Sequence, residues 1–263
     1  GMPEFFLHIN LLINNGYLRD STKAQGCRCR IYRGSTSNIS SARYYTIHTI
    51  KISIPWGRDG MEEKLAFIVP NVLTENECNA IIQSCEERGF EQALLNVGGG
   101  RQVLATDLRK SGRCIIDDVH AAEVLMQRLK HVLPREAPRD WFNRPPPKIV
   151  GLNERFRVLK YQPGDYFAPH TDGSFKRPKG CEPPSTGKSG DSSCFTLMLY
   201  LNTPTKGGST NFLSTTGKVR SYNPIAGQAL IFDHSIDHEG AMLEMGVKYA
   251  IRTDVMYRRQ DNA

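Results

Sequence analysis

The side chains in this 263-residue chain whose types and spacing suit chemistry begin with His170-Thr171-Asp172. On an extended strand, residues two apart project from one face, so an imidazole and a carboxylate spaced this way can meet the same cation. Two candidates for a further ligand lie downstream, in the run Asp233-His234-Ser235-Ile236-Asp237-His238-Glu239-Gly240. Two imidazoles and a carboxylate on one face of a metal leave adjacent positions open, the arrangement in which non-haem Fe(II) activates oxygen, whereas zinc more often takes a tetrahedral set. Taken alone, His-x-Asp also fits an ordinary surface turn. Further along, Lys248 sits in an apolar strand pattern, where an ammonium is costly unless an anion meets it. Tyr200 shares strand parity with Thr196 and Met198 and can turn its hydroxyl toward such an anion. Arg252 has the parity of Lys248 and rivals it, because a guanidinium binds carboxylate bidentately; contact with substrate and orientation of Lys248 are its other readings.

The elements that must carry these residues are mostly short strands. Runs at Phe156–Tyr161, Phe195–Leu201, Thr210–Leu213, Ala229–Phe232 and Tyr249–Tyr257, divided by Gly, Pro and Asn turns, predict a sandwich or barrel. Upstream, Leu65 to Val69 reads as a buried strand ended by Pro70. Thr74-Glu75-Asn76-Glu77 is a capping box, predicting a helix through Ile81 and Cys85 that stops near Gly89. Asp117-Asp118 opens a second helix, in which Ala121, Ala122, Leu125, Leu129 and Val132 recur at helical spacing before Pro134. The 21 residues Gly173–Ser193 show no period and are expected to form a functional loop, a substrate lid carrying Phe175, Lys176 and Arg177.

The formal charge is +7, but residues 1–60 hold eight basic and three acidic side chains, so five of those charges precede Met61. The remainder is close to neutral, which argues against a nucleic-acid groove. Residues 1–60 are expected to be a basic, poorly specified extension, with one strand where Ile50, Ile52 and Ile54 alternate with Lys51 and Ser53. Residues 61–263 are expected to be one domain, with a helical part over 61–150 and a β core over 151–258. The seven cysteines are odd in number and scattered, which speaks against a disulfide framework and for a reducing compartment. Cys27-Arg28-Cys29 lacks a second close pair to complete a thiolate metal site. The apolar run Phe5 to Ile13 is too short to cross a bilayer and lacks the flanks of a secretory signal, so a cytoplasmic or nuclear protein without a membrane partner is expected.

The stretch Arg157-Val158-Leu159-Lys160-Tyr161-Gln162-Pro163-Gly164-Asp165-Tyr166-Phe167-Ala168-Pro169-His170-Thr171-Asp172 resembles the first half of the 2-oxoglutarate/Fe(II) dioxygenase core of prolyl 4-hydroxylase-like proteins. Thr196 to Asn202, Gly207 to Phe212 and Pro224 to Phe232 look like its successive strands and turns, and His238-Glu239-Gly240, followed ten residues on by Lys248, looks like its closing pattern. The resemblance implies a mainly β protein with some helix: a double-stranded β-helix, or jelly roll, with N-terminal helices packed on one sheet. It implies Fe(II) held by His170, Asp172 and His238, which leaves His234 a supporting or structural role. It also implies 2-oxoglutarate clamped by Lys248 and Tyr200, with Arg252 and Tyr161 as further contacts, O2 as cosubstrate and ascorbate as a further cofactor. The implied reaction is hydroxylation of an unactivated C–H with succinate and CO2 as co-products. A prolyl residue in a peptide is the family-level substrate; a free amino acid or other small molecule and oxidative demethylation of nucleic acid are the alternatives.

Overall fold

Thr74 and Glu77 start the first helix as their spacing predicts. In the computed structural model, which describes residues 48–56, 60–96, 101–137, 145–178, 187–214 and 219–260, the Thr74 hydroxyl accepts from Glu77 N–H while the Glu77 carboxylate accepts from Thr74 N–H, opening α1 (Glu75–Arg88). Gly89 ends it at a positive φ of 86°. The Asp118 carboxylate caps α2 (Val119–Leu129) by accepting from Ala121 N–H. Cys27, Cys29 and Cys181, the extension before His48 and the middle of the expected lid, 179–186, lie outside the described residues.

The strands, in chain order, are β1 (His48–Trp56), β2 (Gly60–Val69), β3 (Glu91–Gln92), β4 (Leu95–Asn96), β5 (Gln102–Val103), β6 (Arg109–Lys110), β7 (Gly112–Asp117), β8 (Lys148–Leu152) and β9 (Arg155–Tyr161). They continue as β10 (Tyr166–His170), β11 (Ser192–Tyr200), β12 (Lys206–Gly207), β13 (Thr210–Leu213), β14 (Val219–Tyr222), β15 (Ala229–Asp233), β16 (His238–Gly240), β17 (Leu243–Met245) and β18 (Lys248–Arg258). The larger sheet runs β1-β2-β15-β11-β18-β9-β7-β3, with β8 paired to the end of β18, and the smaller runs β14-β13-β16-β10-β6. The alternation around Ile52 therefore does form a strand, β1, and the larger sheet begins within the segment expected to be an extension.

Period-two alternation divides the larger sheet's two faces. Phe195, Leu197 and Leu199 of β11, with Ile251, Val255 and Tyr257 of β18, pack beneath the helices against Ile81, Cys85, Leu125 and Leu129. The intervening residues face the smaller sheet, where Tyr200, Leu230, Phe232 and Ala250 pack with Phe212 of β13. The Phe212 and Phe232 rings meet edge to face at 5.1 Å. Two antiparallel sheets closed over this second core, with helices outside one of them, form the jelly roll. Each fully buried ring or branched chain here contributes about 1.5–3 kcal/mol of transfer free energy. At one end of the inter-sheet space, polar and charged side chains replace the apolar ones.

Candidate active site

The smaller sheet supplies two imidazoles. His170 is the last residue of β10 and stands opposite His238, the first of β16, with ring centroids 4.3 Å apart. Asp172 lies just past the end of β10 rather than within an extended strand, as the His-x-Asp spacing had suggested, and its N–H donates to the His234 carbonyl at 2.9 Å. One ligand atom from each of His170, Asp172 and His238 lies within 4.8 Å of the others. Asp172 Oδ1 is 3.8 Å from His170 Nε2, and Oδ2 is 3.7 Å from His238 Nε2.

Both imidazoles are oriented from behind. His170 Nδ1 lies 2.8 Å from the Ala168 carbonyl and His238 Nδ1 2.9 Å from that of Ile236. A carbonyl only accepts, so each Nδ1 carries the proton and each Nε2 turns a lone pair toward the cluster. Burial, reinforced by the neighbouring His238, pushes the His170 pKa down to about 4, and burial lowers that of His238. Burial alone would raise that of Asp172, but the Arg252 guanidinium holds it well below the usual carboxylate range. Two neutral nitrogen donors and one ionised carboxylate with open positions beside them suit octahedral Fe(II), so the donor set fits the metal the sequence implies.

Lys248 opens β18 and is buried in the wall of the same cavity. Its Nζ donates to the Gly208 carbonyl at 2.6 Å and lies 5.0 Å from the Tyr161 ring centroid and 5.7 Å from that of Tyr200. No carboxylate of the described residues forms an ion pair with it, and burial pushes its pKa down to about 8. Gly208 holds φ at +71°, which favours glycine, and a Cβ there would come within 3.1 Å of Leu243 Cδ1 and 3.2 Å of Lys248 Cδ, so a side chain at this position would crowd the lysine stem. Tyr161 lines the cavity; the Tyr200 hydroxyl instead pairs with Thr210 Oγ1 at 2.9 Å. Arg252, which shares parity with Lys248, also lines the cavity. Its Nη2 lies 2.9 Å from Asp172 Oδ1, so it is engaged by the candidate metal ligand.

The three residues expected on a lid form the neck of the loop instead, and none of them lines the cavity. Phe175 N–H donates to Ser193 Oγ, Lys176 bridges Ser192, and Arg177 is buried in a two-pronged pair with Glu154 at 2.7 and 2.5 Å. Arg177 borders a second cavity beside α2, with His120 and Glu123. One cation of the site escaped the sequence reading. Arg109 lies in the two-residue β6, too short to show alternation, and is buried in the cavity wall. Its guanidinium carbon sits 4.7 Å from the centroid of Phe167, whose ring stacks on His170 at 3.6 Å. Its hydrogen-bond partner among the described residues is the Ser111 hydroxyl, at 3.4 Å.

Residues 156–253 match the model of the 2OG-Fe(II) oxygenase superfamily. This match supports a 2-oxoglutarate-dependent oxygenase. The fold is that of a Trichoplax adhaerens prolyl hydroxylase solved with a hypoxia-inducible-factor peptide fragment, at a TM-score of 0.52 and 21% identity over 74% of this chain and 83% of that one. A Pseudomonas putida prolyl-4-hydroxylase aligns with a TM-score of 0.49 and 15% identity over 74% and 93% of the two chains. No curated protein matches the chain. Among the described residues, no helix is long and apolar enough to cross a membrane.

Proposed function

We propose that this chain hydroxylates an unactivated C–H bond of its substrate, forming succinate and CO2 from 2-oxoglutarate, with His170, Asp172 and His238 as the metal ligands. The convergence of their three ligand atoms within 4.8 Å carries the reading. Fe(II) bound there would supply the oxygen chemistry. The chain's own part is to hold and orient. Ala168 and Ile236 fix the imidazole tautomers, and Arg252 and Thr196 hold the two oxygens of Asp172. Lys248 offers a buried charge to the far carboxylate of 2-oxoglutarate, beside the Tyr161 and Tyr200 rings.

The substrate in this reading is a prolyl residue of a peptide, as in the Trichoplax complex of the same fold. A free amino acid is the second reading, favoured by Arg109: a buried guanidinium without an ion-pair partner among the described residues would accept an α-carboxylate. The test is anaerobic addition of Fe(II) and 2-oxoglutarate, followed by the visible charge-transfer band of the chelate. The intact protein should give the band and His170→Ala should not; no band in the intact protein refutes the assignment. Succinate formation, with ascorbate present as reductant, stimulated by prolyl peptides or by free amino acids then separates the two substrate readings.

A further inference from the structure

Asp172 is the end of a hydrogen-bond chain that begins in the neck of the 173–193 loop. Thr196 Oγ1 lies 2.5 Å from Asp172 Oδ2, and His234 Nδ1 lies 2.9 Å from Thr196 Oγ1. On the other side of the ring, His234 Nε2 lies 2.8 Å from Ser193 Oγ, which also receives Phe175 N–H at 2.8 Å. Counting protons leaves one assignment. An ionised carboxylate only accepts, so the single hydroxyl proton of Thr196 is committed to Asp172. His234 Nδ1 must then donate to Thr196 and so carries the ring proton. Burial lowers the pKa of His234, in keeping with a neutral ring. Its Nε2 therefore has only a lone pair, which the Ser193 hydroxyl fills, leaving the Ser193 oxygen to accept Phe175 N–H. Each hydroxyl and ring nitrogen is satisfied, and every donor points toward Asp172.

We propose that His234 is a positioning residue for the metal site. It holds the Thr196 hydroxyl on Asp172 Oδ2 while Arg252 holds Oδ1, and it ties that carboxylate orientation through Ser193 to the loop neck at Phe175. This rests on the reading of Asp172 as a ligand. A plain core histidine would need its two hydrogen bonds but would have no effect on the metal. Groups that orient metal ligands change metal affinity by roughly 10–100-fold when removed.

The test is titration of the full chain with Co(II) alone, followed by the d–d absorption spectrum, with thermal midpoints measured alongside. His234→Leu should weaken Co(II) binding by about tenfold or more and alter the spectrum of the folded protein. His234→Asn, which keeps an N–H donor near the place of Nδ1, should recover most of both. Thr196→Val should behave like His234→Leu and carries the test if the leucine variant fails to fold. Asp172→Ala is the control: unchanged Co(II) binding there would overturn the ligand reading and the inference with it. Loss of binding in Asp172→Ala, with parent affinity and spectrum in Thr196→Val and in folded His234→Leu, would leave the ligand reading standing and refute the positioning role.

Discussion

Replacing Lys248 by methionine should make the protein more stable and at the same time much weaker in binding 2-oxoglutarate. The ammonium is buried with one hydrogen bond, to the Gly208 carbonyl, and burial moves its pKa from 10.5 to about 8. That displacement corresponds to about 3 kcal/mol held against the charged form. Methionine keeps the length of the stem and removes the charge, but it leaves the Gly208 carbonyl without its donor, at a cost of about 1–2 kcal/mol. The net gain at pH 7, without 2-oxoglutarate, is about 1–2 kcal/mol, or a few degrees in the thermal midpoint for a chain of this size. The gain depends on pH in a checkable way. Because the folded pKa lies below the unfolded one, the penalty is full below about pH 8 and gone by 10.5, so the advantage of methionine should fade across that window. Calorimetry on the same pair should show 2-oxoglutarate affinity falling about 100-fold in the variant, the worth of a charge-assisted contact near 3 kcal/mol. In the parent protein, affinity should be flat up to about pH 8 and then weaken about tenfold per pH unit as the ammonium deprotonates. A methionine variant that is less stable and binds 2-oxoglutarate with the parent affinity would refute both the energetics and the clamp.

Gly208→Ala should weaken 2-oxoglutarate binding by about tenfold, because it strains a left-handed backbone and presses a methyl on Lys248 Cδ; calorimetry giving parent affinity would show that the lysine stem has room to move. Arg109→Leu should leave the Fe(II)/2-oxoglutarate band unchanged and raise the substrate KM, whereas loss of the band would make Arg109, not Lys248, the clamp. Glu77→Ala should cost about 3 kcal/mol in denaturant unfolding, since it removes the capping box and strands the Arg128 guanidinium that pairs with Glu77 at 2.6 Å. Burial alone would raise the Glu77 pKa, but Arg128 and Thr74 hold it below the ordinary glutamate value of 4.5, so this contribution is present at neutral pH and lost on acidification below about 4.5; an acid limb identical in the parent and in Glu77→Ala would contradict it.

The parts of the fold that were legible are those in which a local rule and the tertiary structure agree. The capping box, the Asp118 cap and the parity of Thr196, Met198 and Tyr200 needed only near neighbours to be read. The short strands β6, β10 and β16 were not separately legible, because two to five residues carry too little alternation to separate strand from turn. They nevertheless supply Arg109, His170 and His238. The same cause explains Asp172, whose backbone leaves β10 to bond the His234 carbonyl, a contact across 62 residues that spacing along the chain cannot show.

Arg252 shows where parity stops being informative. It places Lys248 and Arg252 on one face of β18, and so makes them equal candidates for an anion. What separates them is the partner each meets across the sheet: Lys248 faces a backbone carbonyl and two phenol rings, while Arg252 faces Asp172 and Asp254. A guanidinium already neutralised by a carboxylate at 2.9 Å has little left to offer a second one, whereas a buried ammonium with one neutral acceptor has nearly its whole charge to give. In the proposed function Lys248 is thus the cation whose burial would become favourable on binding a dicarboxylate, and Arg252 the one whose burial is balanced by the Asp172 carboxylate beside it.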